Sequence, residues 1–123
     1  MKISQAVALA KFCDKISQQE ISVLLAYKFA KISLALANDI DFYQKQYAKY
    51  LEKYALRDGD NFVFTEKGNI KIIPGLEKEC KEKFQELESM EVEAPNYFFT
   101  IHELKELKIS ISDMLVLEPF IIE

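Results

Sequence analysis

Apolar residues recur along this chain at helical spacing in three separate stretches. The first carries Ile3, Val7, Ala10, Cys13 and Ile16, which predicts a helix over 3–16. A break follows at "ISQQEI". Ser17 with Glu20 has the form of a capping box, and Ile16 with Ile21 that of the hydrophobic staple that accompanies one. A second helix is therefore expected from about Gln18. Its stripe runs Leu25, Phe29, Ile32, Leu36, Ile40, Tyr43, Tyr47, Tyr50 and Tyr54, in steps of three and four, with no proline or glycine before Gly59. A continuous helix over 18–56 would span about 58 Å at ~1.5 Å per residue. That is long for a chain of 123 residues. Either it breaks near "ANDID", where Asn38 and Asp39 are weak helix formers, or one end projects.

The two halves of this helix differ. Val23, Leu24, Leu25, Tyr27, Phe29, Ile32, Leu34 and Leu36 make the first half apolar nearly all round, and it is expected to be buried. The second half has one stripe, dominated by Tyr43, Tyr47, Tyr50 and Tyr54. Beyond it, "RDGDN" is a turn. "NFVFT", "EKGN" and "IKIIPG" predict a β-hairpin. The third helical stretch, "LEKECKEKFQELESM", has Leu76, Cys80, Phe84 and Leu87 on one face and charge on the other, so a surface amphipathic helix is expected there. Pro95 keeps "VEAPNYFFTI" extended. Thr100 with Glu103 caps a short turn, "LKISI" alternates like a strand, and Ser112 is placed to cap a last helix that Pro119 ends. The apolar tail "FIIE" is expected to dock. The fold class is α+β: a helical hairpin with one long helix, a β-hairpin, an amphipathic helix, short strands and a short C-terminal helix, in a single domain over 1–123.

The formal charge of −4 favours solubility and lacks the basic patch of a nucleic-acid or membrane-surface binder. Lys45, Lys49 and Lys53 lie along the tyrosine half, but interleaved acids argue against stacking on single-stranded nucleic acid. No run of eighteen uncharged apolar residues predicts a membrane span, and "MKISQAVALAKFCDK" lacks the apolar core and cleavage site of a signal peptide.

Candidate chemistry is sparse. The three glycines have no phosphate-loop partners. Two cysteines and one histidine, His102, do not make a metal spacing, so no metal or cofactor is expected. Cys13 and Cys80 read as reduced core thiols rather than as a nucleophile paired with His102. Glu77, Glu79, Glu82, Glu86, Glu88, Glu91 and Glu93 read as a solvated face, with i,i+4 pairs expected at Glu77–Lys81 and Glu79–Lys83. Asp58, Asp60 and Asn61 are fragments of a calcium loop without its remaining ligands. The tyrosines remain. A one-sided stripe must be covered, and neighbouring helices look too short to cover all of it. Tyr43, Tyr47, Tyr50 and Tyr54 are therefore the candidate interface, for a protein partner or a second copy.

"AYKFAK" in the long helix, "GNIKIIPG" at the hairpin end and "LEPFI" near the C-terminus resemble the pattern of a group of small tailed-bacteriophage proteins of unassigned function. The resemblance covers most of the chain and departs from it at "QQEIS", where the pattern has a proline-containing turn. It implies a phage or prophage accessory protein, in the cytoplasm of an infected bacterium or in the virion. It brings no catalytic residues, so the protein is expected not to be an enzyme. The expected role is protein–protein contact in virion assembly or structure. Inhibition of a host defence system is the alternative, and a small enzyme or ligand-binding domain is the second alternative.

Overall fold

A computed structural model of the chain describes residues 1–122. Its elements are α1 (Ile3–Ile16), α2 (Val23–Tyr54), β1 (Arg57–Asp58), β2 (Asn61–Phe62), α3 (Glu77–Glu88), β3 (Phe99–Thr100), α4 (Ile101–Leu104), α5 (Ile111–Leu117) and β4 (Ile121–Ile122). The architecture is α+β. A helical hairpin with one long arm carries an antiparallel and a parallel strand pair, and a short helix near the C-terminus closes it.

α2 is one unbroken helix of 32 residues, about 48 Å long. The Asn38–Asp39 pair does not break it. Leu36 is buried on the stripe just before the pair, Ile40 is half-buried just after it, and an i,i+4 ion pair between Asp41 and Lys45 follows at 2.9 Å. The helix starts later than expected. Ser17 ends α1, its hydroxyl donating to the Asp14 carbonyl at 2.6 Å, and the Ser17–Glu20 capping box does not form. Ser22 is the N-cap, accepting from the Leu25 N–H at 3.4 Å. The carboxylate a capping box needs comes instead from a distant segment. Glu106 accepts from the Ser22 N–H at 2.8 Å and from its hydroxyl at 2.9 Å.

The principal core lies between α1, the first half of α2 and the C-terminal elements. Leu9, Phe12 and Ile16 meet Leu25, Phe29, Ile32 and Leu36, and Phe99, Leu104, Leu117 and Phe120 close the cluster. Phe29 is the centre of an aromatic group. It stacks on Phe99 at 4.7 Å between centroids and meets Phe12 edge-on at 5.8 Å. The tail docks as expected: Ile121 and Ile122 pair in parallel with Phe99 and Thr100.

Segment 105–110 is not a strand. The backbone of Lys108 within it is satisfied by a side chain, because Gln19 both accepts from the Lys108 N–H and donates to its carbonyl, each at 3.0 Å. An alternating pattern thus finds an amide group where a neighbouring strand would lie. The last helix is capped two residues earlier than expected, by Ser110 with Asp113 rather than by Ser112. The Thr100–Glu103 capping box forms as predicted.

The predicted hairpin forms in short form, and a tighter one precedes it. In the tighter one the paired residues are Arg57–Asp58 with Asn61–Phe62, across a turn in which Gly59 has φ +65°. Positive φ at the first central residue alone fits the two-residue hairpin turns that match strand twist. Phe64 bridges Ile70, flanked by the Thr65 N–H on Asn69 O at 2.7 Å and the Lys71 N–H on Val63 O at 2.8 Å. The backbone around residue 72 then returns to the end of α2, with Leu56 N–H on Lys71 O and Ile73 N–H on Tyr54 O, both 2.8 Å.

Candidate interaction surface

α2 carries both surfaces that matter, one on each half. On the second half, α3 supplies the cover that the sequence seemed to lack. Phe84 of α3 meets Tyr47 edge-on at 5.0 Å and Tyr50 at 5.4 Å. The tyrosines also touch one another, Tyr43 with Tyr47 at 5.8 Å and Tyr50 with Tyr54 at 6.3 Å. Tyr54 is fully buried, Tyr43 and Tyr50 are half-buried, and Tyr47 is 38 % exposed. The expectation that the shorter helices cannot reach this stripe is therefore corrected. They reach it because the chain after Gly75 runs back along α2. What remains open is a cleft of about 510 Å³ between Val7 and Lys11 of α1 and Ile40, Tyr43 and Tyr47 of α2, with Glu88 at its edge. Burial, and then the Glu88 carboxylate, push the Tyr43 phenol up. Burial does the same to Tyr54, with the carboxylate of Glu79 adding to it.

The first half behaves oppositely. Its inner face is core, but the outer face is uncovered. Val23 is 83 % exposed, Leu24 80 %, Tyr27 59 % and Leu34 70 %. Ala26, Ala30, Ser33 and Ala37 are also exposed there. The expectation that this half is buried all round is overturned for those large residues: α1 and the C-terminal elements all pack on one side of it. On the flank, Lys28 forms an ion pair with Glu103 at 2.8 Å and donates to the Phe98 carbonyl at 2.7 Å. The Lys28 ammonium, and then the Thr100 backbone N–H, hold the Glu103 carboxyl below its usual range.

A third feature is an apolar groove of about 460 Å³ between α1, the 94–98 segment and α5, floored by Ala8, Pro95 and Phe120. Gln5 is the one hydrogen-bonding side chain that lines it.

Among the described residues the candidate reactive groups sit on different elements. His102 is exposed on α4, while Cys13 and Cys80 are buried and unpaired on α1 and α3. Burial pushes both thiols up, away from the thiolate a nucleophile needs. Among the described residues no cluster of His, Cys, Asp and Glu could hold a metal ion. The seven glutamates singled out between 77 and 93 are all exposed. The expected pairs with Lys81 and Lys83 are not the ones formed. Glu77 accepts from the Gly75 N–H at 2.9 Å, and Glu79 lies 4.0 Å from Lys53 of α2. Asp58 and Asn61 are opposed in the hairpin ladder. No helix of the described chain is long and apolar enough to cross a membrane.

Comparison with protein-family models, curated proteins and solved structures finds no match to this chain.

Proposed function

We propose that the protein is a small phage or prophage accessory protein that works by protein–protein contact, in virion assembly or structure. The observation that supports this most is the outer face of α2, where four large apolar side chains are more than half exposed along one helix. Soluble chains seldom keep such a patch without a use. The phage setting rests on the "AYKFAK", "GNIKIIPG" and "LEPFI" pattern. Contact rather than chemistry is the activity in this reading, because the same pattern brings no catalytic residues.

The test is made in the phage that encodes the chain. Purified particles and infected-cell lysate are assayed for the wild-type protein and for Leu34→Glu. Recovery of wild type with particles or assembly intermediates, and loss of Leu34→Glu from them, supports the reading. Recovery with a host defence factor instead overturns the assembly role.

A further inference from the structure

We propose that the outer face of the first half of α2 pairs with the same face of a second copy of this chain, as two antiparallel helices about a two-fold axis near residue 32. The proposal rests on the contact reading above and adds the occupant.

The outward positions are Val23, Tyr27, Ala30, Leu34, Ala37 and Asp41, in steps of four, three, four, three and four. This is a seam of period 3.5, the spacing that keeps one stripe turned toward a partner helix. Leu25, Phe29, Ile32 and Leu36 occupy the buried side, so the chain's own packing does not require the seam.

Bulky and small residues alternate along it, and this decides the direction of pairing. In a parallel pair each position meets its own copy. Tyr27 would crowd Tyr27 and Leu34 would crowd Leu34, while Ala30 and Ala37 faced gaps. Overpacking and voids both destabilise an apolar contact. In an antiparallel pair centred on residue 32, Tyr27 lies opposite Ala37 of the second copy and Leu34 lies opposite its Ala30. The two bulky residues nearest the axis then each meet a small one, while Val23 at the end of the seam lies opposite Asp41. Each contact occurs twice, as a two-fold interface requires. Ala26 and Ser33 keep one flank small, which allows the axes to approach toward the short end of the usual ~8–10 Å. On the other flank Lys31 comes near its own copy. Its ammonium lies 5.4 Å from the Tyr27 ring centroid, at a site that water still reaches, so this like-charge contact costs little.

The area is sufficient for a weak dimer. The exposed parts of Val23, Tyr27 and Leu34 come to on the order of 400 Å², which the two-fold doubles to ~800 Å², at the lower bound of the range that weak, reversible contacts occupy. An interface at that lower bound fits a reversible dimer in the micromolar range.

Sedimentation velocity of the full chain between about 1 and 200 µM tests it. A monomer that becomes a dimer across this range is expected, and Leu34→Glu or Ala30→Glu should raise the dissociation constant about tenfold or more. Both sites are on the exposed face, so circular dichroism should show unchanged helix. Direction is read by cross-linking with a short bismaleimide. Ser33→Cys sits beside the two-fold axis and should link to its copy. Val23→Cys lies about 27 Å from its copy and should not. The native thiols, each 5 % exposed, are slow to react. Linking through Val23→Cys overturns the antiparallel arrangement. A monomer at every concentration, or a dimer indifferent to both glutamates, overturns the interface. The particle experiment reads the contact role separately, since a chain that is monomeric in solution can still be recovered with particles.

Discussion

The two halves of α2 are built from the same helix and solve opposite problems. The first half buries Leu25, Phe29, Ile32 and Leu36 completely and leaves the other side apolar and bare. The second half carries its aromatic stripe only partly buried, yet the chain itself covers it through Phe84, and its far side is mostly polar, with Asp41, Lys45, Lys49 and Glu52 exposed beside Phe42. Aromatic content therefore does not mark the open surface. What marks it is whether another element runs alongside. Three elements crowd one side of the first half, and none lies on the other.

The comparison breaks most readily at the core. Phe29→Ala removes the ring that joins Phe12 to Phe99 and should cost about 3–5 kcal/mol, read by denaturant unfolding. A loss below 1 kcal/mol would show that this half is not the centre of the fold. Next comes the cover over the second half. Phe84 is half-buried, so Phe84→Ala should cost about 2 kcal/mol. It should also raise amide exchange in 47–54 more than in 25–36, and the reverse pattern would contradict the division. Ser22→Ala removes the N-cap and should cost about 1 kcal/mol. Tyr27→Ala should change stability by no more than about 0.5 kcal/mol while weakening association, because the ring is 59 % exposed.

The smallest effect is electrostatic. Lys28 beside Glu103 and Lys15 beside Asp113 hold both carboxyls below their usual ranges. In acid the unfolded chain then binds more protons at these groups than the folded chain does. Their contribution is complete above the unfolded carboxylate range, and it is lost as pH falls through the lowered folded values. Thermal unfolding followed downward from pH 6 should show a gentle decline that Glu103→Gln reduces.

Local signals carried much of the architecture. The α3 stripe, the Thr100–Glu103 box and the docked tail follow from neighbours in sequence, and they formed as expected. The errors occurred where a distant residue chose between two local options. Ser17 with Glu20 and Ser22 alone are both acceptable caps, and Glu106 decides for the second. "LKISI" alternates as a strand does, but its partner is the Gln19 amide. Periodicity also shows that Val23, Tyr27 and Leu34 are apolar without showing whether anything lies against them. The tyrosines misled for the same reason, since the return path of 76–88 along α2 is not written in the tyrosine segment.

The cap that Glu106 places on Ser22 spans 84 residues of chain. Helices grow from local contacts quickly, whereas contacts between distant segments form late because closing a long loop costs entropy. During synthesis most of α2 is made long before Glu106 exists, so until then its first turn is held by Ser22 alone, through the Leu25 N–H. The cap at the edge of the bare apolar face is therefore completed only after residue 106 has been made.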